Sequence, residues 1–207
     1  PAYLPDTPTV RADLAQYYDN VSRADAAIAT ILQQLKDDSL ADDTIVFYYS
    51  DNGGTLPRSK RFMWDNGTHI AMVAYFPPKY QSLAPAAPGT HSKELTNFVD
   101  LAPTMLSLAG VTAPAYFQGR ALAGAARKPA PEFIFTFRDR MDERYDLSRA
   151  VNDGRYRYVR HFLPHRPAGQ HVGYLWQQAS MAEWDDLNRA GKLNARSEEH
   201  TSELQSR

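Results

Sequence analysis

Residues 45–72 have the sequence IVFYYSDNGGTLPRSKRFMWDNGTHIAM and carry the strongest structural signal in the chain. Residues 45–50 are short, continuous and rich in β-branched and aromatic side chains, which predicts a buried strand. Residues 70–76 predict a second strand, closed by Pro77-Pro78. The roughly 20 residues between them form a loop of a length that is usually functional or disordered in compact domains.

The first predicted strand ends in an acid and an amide, Asp51 and Asn52, beside two glycines. In open α/β sheets, ligands collect past the carboxyl ends of strands. Carboxylate and amide oxygens suit Ca²⁺, with Mg²⁺ as the alternative. The absence of cysteine argues against a zinc site. We therefore predict that both residues are metal ligands. The competing interpretation is a type I′ turn at Asn52-Gly53 that joins two strands.

Lys60 follows Asp51 by nine residues and supplies a fixed positive charge. Cleavage of an ester of an oxyanion develops charge on the oxygens, and a fixed cation stabilises that charge. Metal ligands followed by a cation predict a site that binds and cleaves an ester of an oxyanion. The alternative is a solvated loop lysine, one of several basic residues here that include Arg58 and Arg61.

Two further groups are candidates for the site. His69 has a near-neutral pKa as a residue type, which permits acid catalysis, although a histidine bonded to backbone at a strand edge is an equal alternative. Arg138 and Arg140 could recognise a carboxylate or sulfate in bidentate fashion. Their run, residues 138–144, could instead be a solvated, self-paired surface loop. Asp65 is not predicted to be catalytic.

The rest of the chain predicts an α/β body followed by a smaller α+β portion. Apolar residues spaced three and four apart predict a helix over residues 11–38. A second helix is expected from Asp100, as its cap, to Gly110, after an extended segment at 94–98. Strands are expected at 133–137, 148–151 and 156–162, the last two joined by Asn152-Asp153-Gly154 as a hairpin. A final helix is expected at 174–190.

These elements suggest a catalytic α/β part at residues 1–122, a linker at 123–131 and an α+β portion at 132–195. Residues 196–207 have no apolar face to bury, and we interpret them as a non-native tail. We also expect the chain to begin inside a longer protein, because Pro1 is not preceded by an initiating Met.

Composition excludes several classes of function. The 207 residues are 43% hydrophobic and 23% charged, with a net charge of −1 and no cysteine. With this net charge the protein has no overall positive potential that would attract a polyanion, which argues against a nucleic-acid partner. No apolar run approaches the roughly 20 residues of a membrane span. Thiol usage says nothing about compartment, because there are no thiols.

One ordered set of motifs resembles a known family. Ser50-Asp51-Asn52-Gly53 followed by Lys60-x3-Trp64-Asp65-x-Gly67-x-His69 resembles the second conserved half of the sulfatases, within the alkaline phosphatase superfamily. The likeness covers residues 1–194 and continues in three other segments: FVDLAPT (98–104), Gln118-Gly119-Arg120, and residues 149–160.

The resemblance implies a mixed sheet flanked by helices, as in alkaline phosphatase, followed by a smaller antiparallel domain. It implies one divalent cation, usually calcium, held partly by Asp51 and Asn52, and a lysine at position 60 that contacts the sulfate. It also implies a formylglycine nucleophile made from a cysteine or serine near the amino terminus. The chain holds no such motif, so we expect the nucleophile upstream of Pro1.

The expected function is hydrolysis of a sulfate ester, on a sulfated small molecule or glycan. A phosphodiester or phosphonate monoester hydrolase of the same superfamily is the alternative within enzymes. A non-catalytic homologue that binds sulfated glycans is the alternative outside them. The family resemblance also implies a periplasmic or secreted location.

Overall fold

The computed structural model describes residues 3–140, 142–166, 170–195 and 197. It begins with a long helix, α1 (Pro8–Asp37). Thr7 caps this helix through a side chain that accepts a hydrogen bond from the Val10 amide, and proline occupies the first helical position, where its missing N–H costs nothing. The predicted helix at 11–38 is thus confirmed and starts one turn earlier.

The next elements form a two-stranded sheet around the signal region. Strand β1 (Val46–Tyr49) pairs antiparallel with β2 (Met72–Tyr75), with Val46 opposite Tyr75. A short helix, α2 (Asp65–Thr68), interrupts the loop between them. The two strands are where the sequence predicts them, each shorter than expected.

These strands are less buried than their composition predicts. Val73 and Tyr75 of β2 retain 60% and 52% of their exposure, and Tyr48 and Tyr49 of β1 keep more than 40%. Successive side chains of a strand point to opposite faces. Solvent therefore reaches both faces of the sheet within the described residues, and the expectation of buried strands is wrong for this chain.

Helix α3 (Leu101–Leu108) follows, with Pro103 in its first turn, as predicted. Gly110 follows the helix with φ +71°, and the Val111 amide donates to Leu106 O at 2.8 Å, which closes the carboxyl end. Within the segment expected to be extended at 94–98, Asn97 has an extended backbone (φ −129°, ψ 159°), whereas Phe98 begins a 3-10 turn that runs to Asp100.

The segment 123–131, predicted to be a linker, makes contacts with α3. Ala123 is buried, and the Ala126 amide donates to Ser107 Oγ at 3.0 Å. A Cβ on Gly124 would lie 2.4 Å from the same hydroxyl oxygen, so this position requires glycine. The domain boundaries placed around this segment stay a prediction.

The second sheet is an antiparallel meander of β3 (Ile134–Arg140), β4 (Tyr145–Asn152) and β5 (Arg157–His161). The predicted hairpin at Asn152-Asp153-Gly154 is confirmed: Gly154 has φ +86°, a conformation that glycine adopts without steric cost.

Residues 173–189 contain two helices, α4 (Gly173–Trp176) and α5 (Ala179–Arg189), where the sequence predicts one. Gln178 is extended, with ψ 127°, and breaks the helix. Its side-chain amide donates to Thr55 O at 2.6 Å, so a distant contact holds the break. Residues 196 and 198–207, most of the predicted tail, lie outside the described residues.

The main core joins the first residues that the structure describes to residues 172–184. Val172 and Trp184 are fully buried in it, at 0% and 1% exposure; the other buried members are Leu4, Val10, Leu175 and Met181. The loop between β1 and β2 contacts this core through Tyr3, whose hydroxyl donates to Pro57 O at 2.7 Å. None of the helices in the described residues has the length and apolar character to cross a membrane.

Asp100 is expected to control the stability of the α3 region. Its side chain does not cap α3; it accepts from the amides of Asn97 at 3.0 Å and Arg120 at 2.9 Å. Asp100→Ala leaves a buried donor at Arg120 and a half-buried donor at Asn97 without this acceptor, and should lower the free energy of unfolding by about 3 kcal/mol. Asp100→Asn keeps one acceptor and should lose less. Urea unfolding followed by circular dichroism measures both.

The matched control is Asp19→Ala, an exposed carboxylate in α1. Alanine is the better helix former, so this variant should be unchanged or slightly more stable. Equal unfolding midpoints for Asp100→Ala and wild type would show that the two hydrogen bonds contribute nothing.

Candidate functional site

The loop between β1 and β2 closes on itself through its backbone. The Gly53 amide donates to Gly67 O at 3.0 Å, and the Lys60 amide donates to Gly54 O at 2.9 Å. These two bonds bring together the turn after β1, the lysine, and the segment around α2. The stretches that contain Asp51, Lys60 and His69 thus lie side by side.

Two glycines make this closure possible. A Cβ on Gly53 would lie 1.7 Å from Asn66 O, and one on Gly67 would lie 2.1 Å from Phe62 O. Neither glycine has positive φ, so the requirement is for space. A type I′ turn needs positive φ at both central residues, and neither Asn52 nor Gly53 has it. The hairpin-turn interpretation is therefore wrong.

Two arginines in the left-handed region bracket the lysine. Arg58 has φ +66° and Arg61 has φ +74°, a conformation that costs a side-chain-bearing residue roughly 1–2 kcal/mol. The Arg61 side chain is fully buried; its Nε lies 2.9 Å from Asp142 Oδ2, and its Nη1 donates to Gln170 O at 3.3 Å. These contacts of the Arg61 side chain offset the strain of its backbone and hold the backbone next to Lys60 in place.

A stack of rings and guanidinium groups supports the other side of the loop. The rings of Phe62 and Trp64 are parallel within 5° with centroids 4.8 Å apart. The Arg58 guanidinium lies 4.4 Å from the Trp64 ring, and that of Arg138 lies 5.6 Å from the Phe62 ring. Cation–π contacts of this kind strengthen when they are desolvated. The stack connects the loop to strand β3.

Burial lowers the pKa of the Arg61 guanidinium, and the nearby charge of Arg138 lowers it further. Burial likewise lowers the pKa of Arg138, which forms an ion pair with Asp146 at 3.3 Å. Both groups remain cations at neutral pH, because an arginine pKa starts far above it. Two buried positive charges with carboxylate partners therefore lie beneath the loop.

The predicted metal ligands Asp51 and Asn52 lie at the rim of this loop. Asp51 is exposed and Asn52 is half-buried, and the Ser50 hydroxyl donates to Asn52 O at 2.6 Å, which fixes the turn. Among the described residues no cluster of three or more His, Cys, Asp or Glu could hold a metal ion. Two oxygen donors are fewer than the six to eight, approximately, that Ca²⁺ takes. The donor chemistry fits part of a calcium site.

The other predicted residues are distributed differently. The half-buried Lys60 has its Nζ 5.8 Å from the Tyr174 ring centroid. His69 is exposed and ends α2; its amide donates to Asp65 O at 2.8 Å, and its ring has no hydrogen-bond partner within the described ranges. Arg138 is buried in its ion pair and Arg140 is exposed, so the structure does not bring the two guanidinium groups to one surface.

Three residues that hold the loop carry no signal in the sequence. Arg157 of β5 donates to Met63 O at 2.6 Å and forms an ion pair with Asp65 at 2.8 Å. Gln178 and Tyr3 hold the loop through the bonds to Thr55 O and Pro57 O described above. Their partners are 54 to 123 positions away, so no local pattern could reveal them.

The chain matches known families over most of its length. The family model described as "Sulfatase" matches residues 2–111, and the model described as "N-sulphoglucosamine sulphohydrolase, C-terminal" matches residues 58–165. An ulvan-active sulfatase of Formosa agariphila is 37% identical over 194 residues, which are 94% of this chain and 32% of that protein. Human N-sulphoglucosamine sulphohydrolase is 33% identical over 56% of this chain and 22% of its own length.

The chain thus spans less than a third of these relatives. A solved structure of BT4656 in complex with its substrate D-glucosamine-2-N,6-O-disulfate superposes with a TM-score of 0.58 and 20% identity, over 88% of this chain and 39% of that one. At that identity the likeness shows the fold, which confirms the predicted alkaline-phosphatase-like α/β class. The family model covers more than half of the chain. The chain therefore belongs to the sulfatase family.

Proposed function

We propose that the protein hydrolyses sulfate esters on a carbohydrate. The observation that carries the proposal is the closed loop, in which backbone hydrogen bonds place the stretches of Asp51, Lys60 and His69 side by side in a chain of the sulfatase family. Relatives named as sulfatases of ulvan and of N-acetylglucosamine support a carbohydrate as the substrate.

Lys60 would bind the sulfate and neutralise charge on the leaving oxygen when the sulfur–oxygen bond to the alcohol breaks. The buried ion pair of Arg61 supports this role, because it fixes the backbone next to the lysine. Preorganised charge costs no rearrangement at the moment of reaction. The exposed ring of His69 would donate a proton to the departing alcohol.

Asp51 and Asn52 would hold a divalent cation, Ca²⁺ before Mg²⁺, with further ligands from the part of the protein upstream of this chain. When bound, the cation supplies charge that orients the sulfate and activates the nucleophile. The nucleophile is proposed to be an upstream formylglycine, so the chain by itself would be inactive. Of the two arginines predicted to bind substrate, only Arg140 is exposed and could do so directly. Arg138 is buried in its ion pair with Asp146.

Removing the loop's charges should abolish most activity. In the protein expressed with its upstream coding sequence, Lys60→Ala should lower kcat on a sulfate ester by about 100- to 1,000-fold, because one preorganised electrostatic contact to the transition state is lost. Asp51→Ala should lower it similarly and weaken Ca²⁺ binding, measured by calorimetry.

The matched controls are Lys36→Ala and Asp38→Ala, both at the exposed carboxyl end of α1, which should retain the full rate. Phosphate diesters and phosphonate monoesters are assayed in parallel. Faster turnover of these than of sulfate esters would favour the other hydrolase class. Full activity in both Lys60→Ala and Asp51→Ala would refute the site.

The close packing of the loop gives an independent test. Gly67→Ala places a methyl group 2.1 Å from Phe62 O and 2.3 Å from Ser59 O, so the backbone around Lys60 must move. Displacements of about 1 Å in a catalytic group can cost about 100-fold in rate, and we expect a loss of that order.

Gly89→Ala serves as the control for this substitution. It also replaces a glycine, at φ +76°, but nothing lies within 4 Å of its added Cβ. It should lose a little stability and no activity. A Gly67→Ala enzyme with the wild-type rate would mean that the backbone closure is irrelevant to catalysis.

A further inference from the structure

Residues 170–178 cross over the loop that carries the candidate site. Gln170 O accepts from Arg61, the Tyr174 ring lies next to the Lys60 ammonium, and the Gln178 side chain donates to Thr55 O. Three contacts over nine residues make this segment a wall of the candidate site, although it lies more than 100 positions away in sequence from Lys60.

The same segment is held from its other side by the turn between β3 and β4. The Gly173 amide donates to the Glu143 carboxylate, a bond that lowers the pKa of Glu143, and Arg144 Nε donates to His171 O at 2.9 Å. With contacts on both sides, the backbone beneath Tyr174 is fixed. The ring of Tyr174 thus stands on a backbone segment that is held in place beside Lys60.

Tyr174 combines partial burial with an accessible ring. Its side chain is 37% exposed, and its ring centroid lies 5.8 Å from Lys60 Nζ, within cation–π range. Burial raises the pKa of its hydroxyl, so the phenol remains a neutral hydrogen-bond donor at neutral pH. A flat apolar face with one donor, next to a cation, suits a ligand that has both a sugar ring and an anionic group.

We propose that Tyr174 contacts the sugar ring of the substrate whose sulfate Lys60 binds, and so determines specificity for a saccharide over other alcohols. The inference rests on the proposed function of Lys60. In a sulfated sugar only the ester oxygen, or for a 6-O-sulfate the ester oxygen and one exocyclic carbon, lies between the sulfur and the sugar ring. A sulfate on the lysine therefore brings the C–H face of the sugar to the tyrosine. Pockets for small ligands commonly pair an aromatic surface with few polar groups in this way.

The test separates binding of the sugar from binding of the sulfate. In the enzyme expressed with its upstream sequence, KM is measured for ulvan fragments and for D-glucosamine-2-N,6-O-disulfate, and inhibition is measured with inorganic sulfate. Tyr174→Ala should raise KM for the sugar substrate by about five- to tenfold, the value of one aromatic contact, with a smaller change in kcat. The inhibition constant for inorganic sulfate should stay within about twofold, because Lys60 remains.

Tyr174→Phe retains the ring and loses only the hydroxyl donor, so it should raise KM by less than Tyr174→Ala. Tyr174→Leu fills the space without an aromatic face and should behave like alanine, which gives a second variant if alanine impairs folding. Tyr116→Ala removes a more exposed tyrosine, at 78%, and should change nothing.

Two results would overturn the inference. One is an unchanged KM for the sugar in both Tyr174→Ala and Tyr174→Leu, and the other is an equal loss for sugar and inorganic sulfate, which marks a structural role. A wild type that hydrolyses no sulfate ester refutes the proposed function instead. In that case calorimetry compares the affinity of the same two sugars for wild type and for Tyr174→Ala. A wild type that binds inorganic sulfate but neither sugar overturns the inference about Tyr174.

Discussion

The close approach of Gly53 to Asn66 and Gly67 is the constraint on which the site depends. The hydrogen bond between Gly53 N and Gly67 O joins the start of the loop after β1 to its end before β2. Because no side chain fits at either glycine, the contact is made by backbone alone. The side chains between the two glycines are therefore not needed for this contact. Phe62 and Arg61 are buried in the protein, while Lys60 faces Tyr174.

Buried charge connects this loop to the second sheet. Arg61 and Arg138 are both desolvated, and each has a carboxylate partner on the β3–β4 side of the molecule. Buried ion pairs add little net stability, but removal of one partner is costly. The Arg61–Asp142 pair joins the loop to the turn between β3 and β4, whereas the Arg138–Asp146 pair lies within the second sheet and contacts the loop through the Phe62 ring. The left-handed backbone at Arg58 and Arg61 persists because of such surroundings.

Sequence patterns predicted the parts of the fold that depend on neighbouring residues. The α1 periodicity, the Asn152-Asp153-Gly154 hairpin and the glycine after α3 are local signals, and the structure confirms them. The break at Gln178 depends on its contact with the distant Thr55, and the exposure of β2 depends on what packs against it in the folded chain. Local sequence patterns could show neither. For the site, the motif located the loop, while the roles of Asp51, Asn52, Lys60 and His69 stay predictions.

The residues that hold the loop come from both ends of the chain and from β5. Tyr3 lies 54 positions from its partner, Arg157 lies 94 and Gln178 lies 123. Contacts of such long sequence separation raise contact order and form slowly, because the entropy of closing the intervening chain is lost first. These three bonds require the start of the chain, β5 and the segment before α5 to lie against the loop, so we expect the loop to reach its final geometry late in folding.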